Sequence, residues 1–200
     1  MTLSFTHRFV PATALGRPPL LLLHGTGGDE NDLLPLGQTI APGAALLSPR
    51  GRVLENGMPR FFRRFAEGVF DEADVRARAA ELAGFVAEAR GAYGIEAPLA
   101  VGFSNGANIA AAMMLLHPEA LAGAVLLRAM VPLSEPPPAD LSGKRVLILS
   151  GSMDPIVPAE NAERLAGMLE RAGAAVQHQV LPSGHGLSQA DIRLITQWQP

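Results

Sequence analysis

The segment Val101-Gly102-Phe103-Ser104-Asn105-Gly106-Ala107 is a Gly-x-Ser-x-Gly pattern between an apolar run and an alanine-rich apolar stretch. A serine that attacks a carbonyl must stand clear of its own backbone, and a sharp strand-to-helix turn presents it that way. Such a turn brings the residues two before and two after the serine together. Only a very small residue fits at both places, here Gly102 and Gly106. The chemistry this permits is acyl transfer through a covalent serine intermediate. A plainer reading is a glycine-rich turn in which Ser104 caps the next helix. The strand-then-helix context points to the nucleophile.

A nucleophilic serine needs a base, and the base needs an orienting acid. The chain has five histidines. His7 falls in a first strand region, and His24 precedes a glycine loop that it is expected to support. His117 ends a helix, where its charge suits the helix dipole. His178 sits in an alternating strand and is free to face solvent. His185 stands in Pro182-Ser183-Gly184-His185-Gly186, after the last strand, where flanking glycines let an imidazole approach the sheet edge. A surface-loop histidine is the plain alternative. Asp154, in Gly151-Ser152-Met153-Asp154-Pro155, is either the orienting acid or an ordinary turn aspartate before proline. The order Ser104, Asp154, His185, each just past a predicted strand, is the Ser…Asp…His order of one hydrolase architecture.

Acyl transfer also needs two donors aimed at the developing oxyanion. One is the backbone N–H after the nucleophile, on Asn105. The other comes from a loop after an earlier strand. Leu20-Leu21-Leu22-Leu23-His24-Gly25-Thr26-Gly27-Gly28-Asp29 supplies such a loop, and Thr26 is the expected donor. A phosphate cradle competes for the same glycines. It lacks the P-loop lysine, and Asp29, Glu30 and Asp32 repel phosphate. Asp29 is also expected to cap the next helix.

Presenting these groups requires strands that end together. Short apolar runs recur at Leu20 to Leu23, Ala44 to Leu47, Leu99 to Phe103, Ala124 to Leu127 and Val146 to Leu149. Their continuity fits strands covered on both faces. Val176 to Leu181 alternates with Gln177 and Gln179, as an edge strand does. Between them, helical spacing covers Asp71 to Tyr93, Gly106 to Leu116, Pro158 to Ala172 and Ser188 to Trp198. This alternation implies a mostly parallel sheet with helices on both faces. Ser134 to Ala139 reads as a rigid proline loop, so residues 1–200 are expected to form one domain.

Residues 50–70 break the alternation with turn chemistry and then Phe61, Phe62, Phe65 and Phe70, half of the eight phenylalanines. An aromatic excursion after a strand's C-terminal end can wall a pocket. Phe61, Phe62, Phe70 and Met130 are therefore candidate substrate-binding residues, with core packing the alternative. The neighbouring Arg60, Arg63 and Arg64 either meet an anionic substrate or pair with Glu55, Glu67 and Asp71. The second reading is preferred.

Composition narrows the rest. A chain of 200 residues, 48% hydrophobic, can bury roughly 70% of its unfolded surface. A net charge of −3 with interspersed signs gives no basic stripe, so nucleic acid is not an expected partner. The absence of cysteine excludes disulfides and thiolate metal sites. Met1 to Val10 has no signal-type apolar stretch and no run reaches membrane-spanning length, so a cytoplasmic protein without membrane insertion is expected.

Taken together, His24-Gly25 with its loop, Gly-Phe-Ser-Asn-Gly at 102–106, Gly-Ser-Met-Asp-Pro-Ile-Val-Pro at 151–158 and Gly-His-Gly at 184–186 resemble the phospholipase/carboxylesterase family of α/β-hydrolases. The insert from Ser48 to Asp71 looks like the bacterial carboxylesterase branch, related to acyl-protein thioesterases. The resemblance implies an α/β-hydrolase fold with a minimal cap, a triad of Ser104, Asp154 and His185, and an oxyanion hole at Thr26 and Asn105. Acyl-protein thioesterases carry glutamine where this chain has Asn105, and their acyl-chain loop differs. The expected activity is hydrolysis of a small-molecule carboxylic ester or thioester, with no metal or organic cofactor. Alternatives are a lysophospholipase-like or acyl-protein thioesterase activity, a peptidase or lactonase, and a non-catalytic interaction protein on the same fold. A homodimer is compatible with the sequence and not specified by it.

Overall fold

Seven strands form the central sheet of the computed structural model, which describes residues 3–198. Met1 and Thr2, part of the N-terminal stretch read above, lie outside the described residues. The sheet strands are β1 (His7–Val10), β2 (Leu20–Leu23), β3 (Leu46–Pro49), β8 (Leu99–Phe103), β9 (Gly123–Leu127), β10 (Arg145–Gly151) and β11 (Ala175–Leu181). Four shorter strands lie between β3 and β8: β4 (Val53–Glu55), β5 (Met58–Arg60), β6 (Arg64–Ala66) and β7 (Val69–Phe70). The sheet order is β1-β3-β2-β8-β9-β10-β11, and only the β1–β3 pairing is antiparallel. This is the mostly parallel sheet that the alternation of runs implied, in the α/β-hydrolase arrangement that the resemblance implied.

Among the described residues, five α-helices cover the two faces: α1 (Leu34–Ile40), α2 (Glu72–Tyr93), α3 (Asn105–Leu116), α4 (Ala159–Arg171) and α5 (Gln189–Trp198). Successive side chains of a strand point to opposite faces, so a strand buried on both must be apolar throughout. In β2, Leu21 and Leu23 join one core with α2, α3 and α4. Leu20 and Leu22 join the other with Ile40, Ile195 and Trp198. Along α2, Val75, Ala79, Leu82, Phe85, Val86 and Ala89 are buried at helical spacing. Asp71 begins that helix by accepting from Asp74 N–H at 3.2 Å. The Phe85 ring sits 5.0 Å from that of Phe5. Truncation of such a fully buried aromatic costs about 3–5 kcal/mol.

Three local expectations are corrected. The second predicted run forms its strand at Leu46–Pro49 rather than from Ala44, whose N–H closes a turn on Ala41 C=O at 3.1 Å. Asp29 does not cap α1. Its carboxylate accepts from Asn31 N–H at 2.7 Å within the preceding turn, and Leu33 stands at the helix start. His178 does not simply face solvent: across the β10–β11 pair its Nε2 lies 2.7 Å from Ser150 Oγ. β11 is an edge strand, as its alternation indicated.

Residues 50–70 form two antiparallel hairpins, β4–β5 and β6–β7. The first turns at Asn56-Gly57, both with positive φ (52° and 79°), the geometry of a type I′ turn. The sequence reading saw turn chemistry there but not the paired strands, which are only two or three residues long.

Gly84 lies mid-helix in α2, exposed, and a methyl group there meets no neighbour. Gly84→Ala is expected to raise stability by about 0.5–1 kcal/mol through lower unfolded-state entropy, read as a higher midpoint in urea unfolding with an unchanged slope.

Candidate active site

Ser104 sits at φ 52°, ψ −114°, between β8 and α3. Its side chain makes no helix-capping hydrogen bond, which removes the plain reading of this serine as a cap. Its backbone is held on both sides: Ser104 N–H donates to Leu127 C=O at 2.8 Å, and Ser104 C=O accepts from Asn108 N–H at 3.0 Å. A non-glycine residue in such a conformation costs roughly 1–3 kcal/mol. The turn closes as tightly as the motif requires. A Cβ on Gly102 would lie 2.5 Å from Gly106 C=O, and one on Gly106 would strike the carbonyl of Leu23.

The other two predicted groups converge on this hydroxyl. Ser104 Oγ lies 3.0 Å from His185 Nε2. His185 Nδ1 lies 2.8 Å from Asp154 Oδ2. Because a carboxylate only accepts, Nδ1–H donates to Asp154 and leaves Nε2 free to accept from the serine. The Asp154 side chain is fully buried, and that of His185 is 20% exposed. Asp154 is also a turn aspartate: its Oδ1 accepts from Ile156 N–H at 2.8 Å and Val157 N–H at 3.1 Å. The two readings of this residue are therefore compatible, one oxygen serving each. A serine aligned on such a histidine can be deprotonated as it attacks.

Thr26 occupies a tight turn closed by Gly28 N–H donating to Gly25 C=O at 3.1 Å. Gly27 takes φ 86° there, the third-position geometry that glycine accommodates. The Thr26 hydroxyl accepts from Arg60 Nη1 at 2.9 Å, and Gly27 N–H donates to Pro59 C=O at 3.0 Å, so β5 braces the turn. Asn105 opens α3, where backbone N–H groups have no partner within the helix. Its side-chain Oδ1 accepts from Phe61 N–H at 2.7 Å, a tether between helix and insert that sequence reasoning did not foresee.

His24 underlies the same loop, buried to 1% exposure. Its Nε2 accepts from Gly51 N–H at 2.9 Å and its Nδ1–H donates to Gly25 C=O at 2.7 Å. Burial holds its pKa below the ordinary value, against the pull of nearby carboxylates. The neutral tautomer is the one that fits.

Of the four candidate pocket residues, Phe70 and Met130 line a small cleft at Ser104 together with Thr26 and Asn105. Phe61 and Phe62 do not. They are 3% and 0% exposed and pack in the core, Phe61 against His24 and Phe62 against Phe70. Consecutive residues of an insert that must bury itself turned inward, and Phe65 and Val69 are left exposed to solvent. The arginines pair as preferred: Arg60 with Glu55 at 2.9 Å, Arg64 with Glu55 and Glu67, and Arg63 with Asp71. Arg60 and Arg64 nevertheless border the cleft. Burial lowers the pKa of Arg60, with the charge of Glu55 opposing it. A more voluminous groove, about 520 Å³, runs between the Pro136–Pro138 loop and α4 and contains none of these groups.

Arg128 and Asp191 were missed altogether. Both are buried and paired at 2.8 Å, directly behind the His185 loop. The available signal was an arginine immediately after the apolar run of β9, where a charge needs a partner.

The sequence profile of the phospholipase/carboxylesterase family matches residues 12–198. The protein MhqD of Bacillus subtilis (strain 168) is 45% identical over 181 residues, 90% of each chain. A carboxylesterase from Bacillus cereus superposes with a TM-score of 0.95 at 45% identity, covering 98% of this chain and 93% of that one. A carboxylesterase from Mesorhizobium loti gives 0.93 at 37% identity, covering 98% and 94%.

Gly106→Ala is expected to cost about 3 kcal/mol or more, seen as a collapse of soluble yield or melting temperature. His24 makes stability pH-dependent. Its folded-state pKa lies below the unfolded value, so its contribution is complete above about pH 6.5 and is lost as pH falls through the depressed folded value. His178, depressed by burial as well, adds to the same window. The measurement is the urea midpoint at about pH 7.5 and about pH 5.5: His24→Gln should lose less stability on acidification than the wild type.

Proposed function

This chain belongs to the phospholipase/carboxylesterase family of α/β-hydrolases, and from that premise we propose that it is a serine carboxylesterase acting on small carboxylic esters. The observation that carries the reading is the unbroken relay from Ser104 Oγ to His185 Nε2 at 3.0 Å and from His185 Nδ1 to Asp154 Oδ2 at 2.8 Å.

In the first half-reaction Ser104 Oγ attacks the acyl carbon while its proton passes to His185 Nε2. The carbonyl oxygen becomes an oxyanion, for which the N–H groups of Asn105 and Thr26 are the proposed donors. Loss of one such donor typically costs about 10²–10³-fold in rate. Asp154 keeps the imidazole in the tautomer that can accept, and stabilises the imidazolium once formed. Collapse of the intermediate breaks the ester C–O bond, and His185 returns the proton to the leaving alcohol. In the second half, water attacks the acyl-serine with His185 as base, and the acid and free serine are released. Every proton moves through His185, so no further group is needed to balance the reaction.

The size of the cleft supports short acyl groups. At Ser104 it encloses about 20 Å³, room for little more than a water molecule. Phe70 and Met130 give it apolar walls, while Arg60 and Arg64 are already neutralised by Glu55 and Glu67. A thioester carbonyl would enter by the same route. Long-chain depalmitoylation draws no comparable support from a cleft of this size.

The test is a series of aryl esters of increasing acyl length on the wild type and Ser104→Ala. Highest kcat/KM is expected for the shortest acyl groups, with a fall of roughly 10⁴–10⁶-fold in kcat for the variant. Rapid turnover of amides with inert aryl esters would replace the esterase reading by a peptidase one. Failure of a fluorophosphonate probe to label Ser104 in folded protein would favour the non-catalytic alternative.

A further inference from the structure

Arg128 is fully buried, follows β9 directly, and has no part in the proton transfers above. We infer that Arg128 is a positioning residue, whose guanidinium fixes the loop carrying His185 and thereby the approach of its Nε2 to Ser104. The inference builds on the esterase reading but has a readout independent of turnover.

The guanidinium spends its donors on one small region. Nε donates to Gly184 C=O at 3.0 Å, and Nη2 to Gly186 C=O and Ser183 Oγ, both at 3.1 Å. These acceptors bracket His185 on both sides. Nη1 donates to Leu149 C=O at 3.1 Å, on the strand that leads to Asp154. The fork closes on Asp191 at 2.8 and 2.9 Å. Asp191 in turn accepts from Ser188 N–H at 2.8 Å, where the loop enters α5. Burial alone would raise the pKa of Asp191, and its hydrogen bonds from Arg128 and Ser188 outweigh this and hold it below the ordinary value.

Two points separate positioning from mere packing. A buried ion pair is weak evidence for stability, since an apolar pair of similar volume commonly does as well. An apolar pair could not, however, receive three loop groups along fixed directions. Secondly, Arg128 takes φ 56°, in the left-handed region, which aims its side chain across the end of the sheet into the loop. Its own N–H donates to Leu149 C=O at 2.9 Å, so the anchor is itself anchored. The loop is rich in glycine, and Arg128 ties it on both sides of His185, where the other backbone tie, Met153 N–H to Ser183 C=O at 3.1 Å, holds only the side before it. Lysine could keep the charge opposite Asp191 but cannot reproduce the planar, five-donor fork.

The experiment compares the wild type with Arg128→Lys and with the double variant Arg128→Met/Asp191→Asn, which leaves no buried charge unpaired. Folding is followed by circular dichroism and melting. Catalysis is followed on a short-chain aryl acetate. The hydrogen bond from His185 Nδ1 to Asp154 is followed as a downfield proton resonance, identified by its loss in His185→Gln. Positioning predicts folded variants whose kcat falls by about 10²-fold in the double variant and less in Arg128→Lys. KM should stay within about threefold, and the resonance should broaden or vanish. Wild-type kcat with an unchanged resonance in either folded variant overturns the inference. If the double variant does not fold, Arg128→Lys decides by the same criteria. If the wild type itself turns over no ester, the esterase reading fails, and the resonance still decides the role of Arg128.

Discussion

The backbone of one residue governs this structure. Ser104 is held at φ 52°, a conformation that costs roughly 1–3 kcal/mol and persists only when its surroundings leave no alternative. Those surroundings are specific. Leu127 C=O takes the serine N–H, so β9 fixes the turn from one side. Gly102 and Gly106 allow strand and helix to meet without an intervening Cβ, which brings the start of α3 against the end of β2. The hydroxyl is left outside the capping geometry that a serine at a helix start would otherwise adopt. Its one near partner among the described side chains is an imidazole from far along the chain.

Around that fixed point, three loops are tied to one another rather than to the sheet alone. The β2 loop is fastened from below by His24 to Gly51 and from the side by Arg60 to Thr26. The insert is fastened to α3 by Phe61 and Asn105. The loop after β11 rests on Arg128 and Asp191, with Ser183 C=O also receiving Met153 N–H at 3.1 Å. Each tie joins a buried polar group to a partner on a different element, though the Asn105 Nδ2 amide has no partner among the described residues. Such networks confer a unique arrangement when complete, and cost dearly when half made.

Much of this was legible before any coordinates. Continuous apolar runs marked the doubly covered strands, because leucine at successive positions of β2 makes sense only with a core on each face. The glycines flanking Ser104 stated a steric requirement, and the alternation of Val176 to Leu181 stated an edge. What escaped had a physical reason. Strands of two or three residues leave no period to detect, so the β4–β7 hairpins were hidden except for Asn56-Gly57. Aromatic residues in an insert are equally consistent with a wall and with an anchor, and Phe61 and Phe62 proved to be the latter. Arg128 and Asp191 are separated by 63 residues, and although an arginine ending an apolar run calls for a partner, nothing local says which acid supplies it.

The insert's division into an anchored base and an exposed tip has a consequence for how changes along it are felt. Its base reaches the residue after the serine through Phe61 and Asn105 and is buried with Arg60 and Phe62, so changes there disturb the whole turn. Its tip presents Phe65 at 70% exposure and Val69 at 54%, beside Phe70 on the cleft wall. A substitution at that tip therefore meets solvent, whereas one at the base meets the turn that holds the reacting serine. One short segment thus carries both a buried brace for the turn that holds the serine and a solvent-facing end that no buried contact constrains.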